Sequence, residues 1–416
     1  MRDILIVGAG QAGLQLTHAL LADGYTVTLL SARTPAELRG GNPLSTQMLF
    51  GPALEIERRL GLDARMDETP PAYGLRVTLS GPGQPTPQAD LIGTLDVPAR
   101  SCDQRVKMAD WLELAEERGA TVIHQAVTAA DLDALTRSGR YDLTVVAAGR
   151  GDLTSLFEHD PDRSPYTAPQ RVLAVSYVHG LRPSPAWADG HVVNHTVAGL
   201  GELFIMPTLT GTGPADILFF TAVPGGPLAD WSPALSPTDH LDRTLALIRT
   251  HLPTEVADRC RDVTLVDDRS TLRGSVTPAV RRPVAALPGG GLALGLADVV
   301  ITNDPLTGQG ANSAAKAADH YHRAILAHGD RPFDRTWMTD TFETFWHGYG
   351  RAVTDWTNLM LGPPPAHVQQ LLGAATAHPP TARRLAAGFA DPTDFDAWFM
   401  TEPAATSYLA GLHQKA

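Results

Sequence analysis

The chain has 416 residues, 43% of them hydrophobic, so about two or three domains with well-filled cores are expected. Its 33 Lys and Arg against 45 Asp and Glu leave a net charge of −12, which argues against a surface that follows nucleic-acid phosphates. Cys102 and Cys260 are the only cysteines, so neither a disulfide framework nor a cysteine-rich metal site is predicted. The N-terminus lacks an export signal and no apolar run reaches the ~18 residues that span a bilayer. We therefore expect a cytoplasmic protein that does not bind membranes.

The first predicted elements form a βαβ unit. A buried strand over 4–7 leads into GAGQAG, helix-period apolar residues follow over 14–22, and a second strand covers 26–30. A helix over 108–118 and strands at 121–123 and 143–149 are expected to return to the same parallel sheet.

The composition changes after residue 150. The β-branched and aromatic runs RVLAVSYV, GELFIMPTL and ADILFFTAV, which begin at residues 171, 201 and 215, indicate a largely antiparallel sheet inserted into the parallel one. A buried strand over 291–296 then precedes a helix over 310–328. Residues 331–416 are predicted to be helical pieces interrupted by the proline clusters at 362–365 and 378–380.

The GAGQAG turn has the pattern of a dinucleotide-binding fingerprint. Gly8 makes the turn, Gly10 lets the backbone approach a pyrophosphate, and Gly13 lets the helix pack on the strand, while Gln11 and Ala12 begin a helix whose free N–H groups favour an anion. An ordinary glycine-rich turn is the alternative. The acidic residue that holds an adenosine ribose in NAD enzymes is absent, because the second strand ends in Ser31-Ala32-Arg33, and this favours FAD over NAD. The Ser31 hydroxyl can still donate to a ribose.

A second loop, VVITNDPLTGQGAN, covers residues 299–312. Asp298 follows a buried strand, where a carboxylate can accept hydrogen bonds from sugar-like hydroxyls, and Pro305 to Gly310 bring bare backbone towards a flat ligand. The helix that begins near Gly310 points its positive end at that ligand and would stabilise an anionic reduced flavin. A helix-capping Asp followed by a glycine-rich turn is the alternative.

Ala297-Asp298 and the following P-x-x-G-Q-G loop resemble the GD motif and loop of FAD-dependent hydroxylases of the p-hydroxybenzoate hydroxylase fold. The resemblance implies that Asp298 meets the ribityl chain of FAD and that Arg105, in RSCDQR, lies near the pyrophosphate. It further implies that the isoalloxazine is lined by Pro305, Gly308, Gly310 and Asn312. The other cofactor positions that it implies are Asn42, Val127, Ala148, Gly149, Gln309 and Ala311.

One departure from those hydroxylases concerns the source of electrons. Single-component members carry an Asp-Gly motif after the strand equivalent to 143–147, whereas this chain has Ala148 before Gly149. The departure implies that a separate NAD(P)H-dependent flavin reductase supplies FADH2 in a transient encounter.

A closer resemblance covers nearly the whole chain. The Ser31 strand end, RSCDQR, GELFIMPTL and NDPLTGQGAN are together similar to the oxygenase component of styrene and indole monooxygenases. Ser45, Gln47, Leu75 and Ala99 resemble the choices of the indole branch, although Leu49 stands where a Met is expected there, and Asn42 replaces an Arg of styrene-type members. The substrate pocket is predicted to contain Leu44, Ser45, Gln47, Leu49, Leu75, Ala99, Phe204, Phe219 and Pro305, with Phe220 as a further candidate.

In this pocket the Gln47 amide would orient an indole N–H. The alternative is that Gln47 is a surface amide with no role in substrate binding. The alternative for the phenylalanines is an ordinary sheet core. The resemblance further implies that a flavin hydroperoxide formed from FADH2 and O2 is the oxidant, so no side chain is required as a catalytic acid or base and no metal site is predicted.

The resulting prediction is an α/β fold. A Rossmann-like FAD-binding domain of the p-hydroxybenzoate hydroxylase and glutathione reductase type comprises residues 1–150 and 271–330, and a mostly antiparallel substrate sheet over 151–270 is inserted into it, with 73–98 as a candidate to pair with this sheet. C-terminal helices occupy 331–416. The predicted activity is epoxidation of indole or a styrene-like arene. The alternatives are a styrene monooxygenase proper, a single-component NAD(P)H-dependent hydroxylase and a non-catalytic FAD-binding protein. A homodimer is left open.

Overall fold

The computed structural model describes residues 2–84, 86–149, 151–184, 190–232 and 235–413. Its strands are β1 (Asp3–Val7), β2 (Thr26–Ser31), β3 (Pro71–Ser80), β4 (Ala89–Arg100), β5 (Thr121–His124), β6 (Leu143–Val146), β7 (Val172–His179), β8 (His191–Val197), β9 (Gly201–Thr210), β10 (Gly213–Ala222), β11 (Thr264–Leu265), β12 (Thr271–Ser275), β13 (Ala279–Val280), β14 (Val284–Ala286), β15 (Leu292–Gly295) and β16 (Ile301–Thr302). Its α-helices are α1 (Gln11–Ala22), α2 (Pro35–Arg39), α3 (Gly51–Arg59), α4 (Gln104–Glu117), α5 (Ala129–Arg137), α6 (Pro237–His251), α7 (Thr254–Arg259), α8 (Gly310–His328), α9 (Arg335–Phe345), α10 (Arg351–Leu361), α11 (Ala366–Ala377), α12 (Pro379–Ala390) and α13 (Glu402–His413).

A six-stranded sheet forms the first layer, in the order β14-β15-β6-β1-β2-β5. β1 is parallel to both β2 and β6, β2 is parallel to β5, and β15 is parallel to β6, while β14 is antiparallel to β15. The run Ile4–Val7 is buried from both sides, as expected for a parallel strand covered by helices on its two faces. α4 begins at Gln104, earlier than predicted, because the Asp103 carboxylate accepts a hydrogen bond from the Arg105 backbone N–H at 2.8 Å and caps the helix.

The second sheet has eight strands. Seven follow the order β11-β7-β10-β9-β8-β3-β4, and β12 also pairs with β7. β3 and β4, which lie far earlier in the chain than the other six, are hydrogen-bonded into this sheet, with β3 parallel to β8. β8 has no predicted counterpart, because HVVNHTV mixes polar residues into the apolar pattern.

The two faces of this sheet serve different cores. Phe220 is on one face, where its ring centroid lies 6.0 Å from that of Trp231, and the neighbouring helices α6 and α7 cover it. Phe219 is on the other face and packs with Leu306 of the second glycine-rich loop. Placing Phe220 in the substrate pocket was therefore wrong, because consecutive strand residues point to opposite faces.

The C-terminal helices close the second face. α12 lies against β4 so closely that a Cβ on Gly93 would be 2.2 Å from the Ala382 carbonyl oxygen, which explains the glycine there. α12 begins at Pro379, so the HPP cluster starts a helix, as suits proline in a first turn. None of the helices in the described residues is long and apolar enough to cross a membrane.

Candidate active site

Two helix N-termini lie side by side at one end of the parallel sheet. The Gln15 amide Nε2 of α1 donates to the Ala315 carbonyl of α8 at 2.7 Å, close to the start of both helices. At the far ends, His322 of α8 lies 2.6 Å from the carboxylate of Asp23, which follows α1. The helices therefore run in the same direction, and their unpaired N–H groups and partial positive charges face the same region, which suits an anionic ligand.

The three fingerprint glycines have different neighbours. Gly8 has φ +116°, and a Cβ there would lie 2.7 Å from the Ala148 backbone nitrogen, while a Cβ on Gly13 would lie 1.9 Å from the Gly8 carbonyl oxygen. These two glycines allow strand, turn and helix to touch. A Cβ on Gly10 would meet no atom of the described residues within 4 Å. Gly10 thus presents bare backbone to open space, as a pyrophosphate requires.

The turn at Asp298 reaches the same end of the sheet. A Cβ on Gly149, just after β6, would lie 2.6 Å from the Cβ of Asp298, so these two segments are in contact. Asp298 is exposed. Ala297 has φ +56°, in the left-handed region that glycine adopts without cost, and it stands where the resembling hydroxylases have Gly.

The second glycine-rich loop is a single helical turn over Pro305–Thr307 followed by Gly308 at φ +65°. The Asp304 carboxylate caps this turn by accepting from the Leu306 N–H at 3.0 Å. No described atom lies within 4 Å of a Cβ built on Gly308 or Gly310, so the loop exposes backbone. Leu306 is buried in the apolar cluster of the second sheet, so the loop also forms part of that cluster.

Three amides at positions implied to meet the cofactor are turned towards the protein. Asn312 accepts from the Phe50 N–H at 3.0 Å and donates to the Met48 carbonyl at 2.9 Å, and Gln309 donates to the Phe389 carbonyl at 3.0 Å. Gln11 donates to the Glu57 carboxylate at 2.9 Å, and that carboxylate also pairs with Lys107 at 2.5 Å. These side chains brace the two motifs, so a cofactor would meet their backbone.

Arg105 is buried at the edge of this region. Its guanidinium lies 2.7 Å from the Asp103 carboxylate, 3.0 Å from the Asp267 carboxylate and 3.4 Å from the Gly41 carbonyl oxygen, next to the exposed Asn42. Burial works to lower the pKa of Arg105, but the two carboxylates outweigh it and raise that pKa. The cation is therefore strongly held on α4, the helix whose Lys107 donates to the Gln11 amide oxygen of the first fingerprint at 3.2 Å.

Most of the remaining implied cofactor positions lie near the ends of β2 and β5, and Ala311 lies on α8. The Ser31 hydroxyl donates to the Arg33 carbonyl at 2.6 Å, so its hydrogen is already engaged, and its ribose contact stays a prediction. Ala32 and Arg33 are exposed, and Val127 is half-buried against the main core. Ala311, in the first turn of α8, packs against the group of residues that contains Leu54.

The predicted substrate residues are partly brought together. Leu75, Ala99, Phe204 and Phe219 belong to one apolar cluster with Leu306, and the two phenylalanine rings lie 5.9 Å apart on paired strands. Met48 and Phe50 also join this cluster, which the sequence did not predict. Leu44 and Ser45, in the segment before Met48, are half-buried.

Leu49 is outside the apolar cluster that contains Phe204 and Phe219. It exchanges two backbone hydrogen bonds with Arg100, at 2.8 and 2.9 Å, and its side chain packs with Ala53, Leu54 and Ala315. There it borders a cavity of about 240 Å³ between α3 and α4.

Tyr177, which sequence reasoning missed, is buried in the substrate-side cluster and donates its hydroxyl to the Ser45 carbonyl at 3.3 Å. Burial raises the pKa of Tyr177 well above its ordinary value, so this hydroxyl stays protonated.

Gln47 and Asp304 are two of the buried polar groups in the described residues that have unused hydrogen-bonding capacity. Gln47 is 4% exposed, and neither its amide nitrogen nor its amide oxygen has a partner among the described residues. The Oδ2 atom of Asp304 also has no partner among the described residues, and burial raises the pKa of this carboxyl to about 6. Because buried polar groups are nearly always paired, Gln47 marks a place where a ligand can supply the missing partner.

Comparison with known proteins decides the family. Residues 149–259 match the family described as "Styrene monooxygenase A putative substrate binding domain". Proteins named "Styrene monooxygenase StyA" from Pseudomonas sp and Pseudomonas fluorescens are each 34% identical to this chain over 334 and 336 residues, which is 79% of this chain and 78% of theirs. The chain belongs to the styrene monooxygenase family. As a member of this family it is an FAD-dependent, O2-using, epoxidising monooxygenase, which confirms the predicted activity and cofactors.

Solved structures confirm the fold of this styrene monooxygenase family member. The flavin-dependent brominase Bmp2 superposes with a TM-score of 0.69 at 15% identity, with all of both chains covered. The tetrameric 2-methyl-3-hydroxypyridine-5-carboxylic acid oxygenase superposes with a TM-score of 0.58 at 15% identity, covering 94% of this chain and 97% of that one. At this identity the likeness shows the fold alone, and it is the one predicted.

The residues present in this styrene monooxygenase family member fit an FAD. Open backbone at Gly10, Gly308 and Gly310 lies at the start of two parallel helices, and α4, which contacts the first fingerprint through Lys107, carries the buried Arg105 cation. The preference for indole over styrene stays a prediction.

Proposed function

We propose that this protein is the oxygenase of a two-component system that epoxidises indole with reduced FAD from a separate NAD(P)H-dependent reductase. The observation that carries the substrate assignment is the buried Gln47 amide without a partner among the described residues. Indole is an apolar bicycle with one N–H donor, and the Gln47 oxygen can accept that hydrogen. Because the amide is already unpaired in the free protein, indole would relieve a cost of about 1–3 kcal/mol that styrene would leave in place.

The chain would hold the cofactor mainly through backbone. The N–H groups at the start of α1, the open face of Gly10 and the Arg105 guanidinium would bind the pyrophosphate, and Asp298 would accept from the ribityl hydroxyls. The loop from Pro305 to Gly310 would lie along the flavin ring. When bound in its reduced form, FAD would supply the two electrons that activate O2, so that one atom of O2 goes to the substrate and the other leaves as water.

The protein's own residues have three tasks in this reaction. The apolar cluster around Phe204 and Phe219 would exclude water from the substrate, and Gln47 would fix the orientation of the substrate. The N-terminus of α8 would stabilise negative charge on the reduced ring. No side chain is assigned as an acid or base.

Ala148 supports delivery of reduced FAD by a partner. The position follows β6 next to Gly8, where the resembling single-component enzymes have an Asp. A cytoplasmic location, where a reductase and NAD(P)H are both present, is part of the proposal. A second candidate, epoxidation of styrene itself, is favoured by the name of the two relatives.

The test is a turnover assay with the purified chain and chemically reduced FAD on indole, styrene and thioanisole. We expect indole to have the highest kcat/KM and to yield indigo through its epoxide. Faster turnover of styrene than indole would favour the second candidate. Rapid NADPH oxidation by the chain without any reductase would contradict the two-component assignment.

A further inference from the structure

The guanidinium of Arg105 is bound by two carboxylates of different character. Asp103 is buried, and its second oxygen caps α4, so this partner is fixed in place. Asp267 lies between β11 and β12, its side chain is 38% exposed, and it approaches Arg105 from the opposite side at 3.0 Å. Asp267 caps no helix, and its carboxylate also accepts from the Arg269 backbone N–H at 2.8 Å, so it can give up Arg105 and keep a second partner.

The charges of this group oppose an anionic ligand. Among these three groups, one guanidinium and two carboxylates leave an excess of one negative charge where a doubly charged pyrophosphate is proposed to bind. The guanidinium groups of Arg33 and Arg269 border the adjacent Gly41 and Gly40, so the repulsion comes from Asp103 and Asp267 and not from the region as a whole. A phosphate oxygen that reaches Arg105 must share the guanidinium with Asp267 or displace it. Partly buried charges at this spacing interact by more than exposed ones, because less water screens them.

We infer that Asp267 is an intramolecular competitor of the cofactor pyrophosphate for Arg105. It holds the guanidinium in place when no cofactor is bound and lowers the affinity for FAD when the cofactor arrives. This inference rests on the proposed function, because an oxygenase that receives reduced FAD from a partner must also release the oxidised cofactor. Asp267 would thus set how readily FAD exchanges, without touching the reacting atoms.

Equilibrium binding of oxidised FAD tests this directly, measured by flavin fluorescence for wild type, Asp267→Asn and Asp268→Asn. Asp268 is the exposed neighbour on the same loop, so its variant makes the same charge change outside the pair. We expect Asp267→Asn to bind FAD about fivefold more tightly and Asp268→Asn to stay within about twofold of wild type. ADP, which carries the pyrophosphate and is measured by its competition with FAD, should show the same gain, and riboflavin, which has no phosphate, should show none.

Equal tightening by both variants would mean a general charge effect and overturn the inference, as would unchanged or weaker FAD binding by Asp267→Asn. A gain for riboflavin as large as for FAD would also overturn it. Thermal melting of each variant verifies that it is folded.

A double-mutant cycle separates this inference from the proposed function. Arg105→Ala should weaken FAD and ADP binding, and adding Asp267→Asn to it should then give no gain. If Arg105→Ala leaves FAD binding unchanged, the proposed placement of the pyrophosphate fails. If Arg105→Ala weakens binding and Asp267→Asn still gives no gain on its own, the inference fails while that placement stands.

Discussion

The substitution Gln47→Met tests two effects of the buried Gln47 amide: its cost to the stability of the fold and its proposed role in binding indole. In the free protein the amide is 4% exposed and neither polar atom has a partner among the described residues. An unpaired buried polar group costs about 1–3 kcal/mol, and Met has nearly the shape of Gln, so the substitution opens no cavity. We expect the free energy of unfolding to rise by about 1–3 kcal/mol. For a chain of 416 residues this raises the melting temperature by roughly 1–3 °C.

The same substitution removes the acceptor proposed for the indole N–H. We expect kcat/KM for indole to fall about tenfold, the worth of one hydrogen bond, while that for styrene stays within about twofold. Calorimetry measures the change in melting temperature, and turnover with chemically reduced FAD measures the changes in kcat/KM. Gln125→Met is the matched control, because Gln125 is exposed, and it should change neither quantity. A lower melting temperature for Gln47→Met, or equal losses on the two substrates, would refute the reasoning.

Three further predictions concern stability, each measured by urea unfolding. Ala297→Gly should stabilise by about 0.5–1 kcal/mol because it relieves the positive φ, whereas Ala134→Gly, exposed within α5, should destabilise by a similar amount; the same sign for both would contradict this. Burial raises the pKa of Asp304 from 3.8 to about 6, so the folded state binds the proton more tightly and stability falls as pH rises through that window. Asp304→Asn should remove this loss of stability with rising pH, and at pH 7 the variant should be more stable than wild type by about 1–3 kcal/mol. The same pH dependence of stability in the variant and in wild type would contradict this prediction. Lys107→Met, which leaves the Glu57 carboxylate buried without its cation, should cost about 3–5 kcal/mol, and adding Glu57→Leu should recover most of it.

The elements that the sequence predicted well are those whose pattern is local. The βαβ unit was readable because Ile4–Val7 is an uninterrupted apolar run directly before a glycine turn, as parallel strands are. The strands β9 and β10 were readable from β-branched and aromatic runs. β8 was missed because polar residues interrupt its apolar pattern, and the partner of one of them is far away in the sequence: the His195 ring is hydrogen-bonded to Thr78 at 2.6 Å, 117 residues earlier.

Side-chain directions in the candidate site could not be predicted for the same reason. Asn312 and Gln309 were interpreted as facing the flavin from their places in the motif. Their hydrogen-bond partners are backbone groups 262 and 80 residues away, at Phe50 and Phe389. Only the folded chain brings those groups within reach. Likewise Leu49 and Phe220 are suitable apolar residues whose direction depends on which backbone they pair with, and each points away from the substrate side.

The bonds of Asn312 explain how the two glycine-rich motifs and the substrate side form one unit. Asn312 stands in the first turn of α8 and binds the backbone of Met48 and Phe50, whose side chains are part of the apolar cluster. Leu306, on the loop before α8, packs into the same cluster. A shift at the start of α8 would therefore displace the loop proposed to hold the flavin ring together with two sides of the substrate region. This coupling gives the long insertion between the motifs a physical role, because the inserted sheet supplies the apolar face against which both segments are aligned.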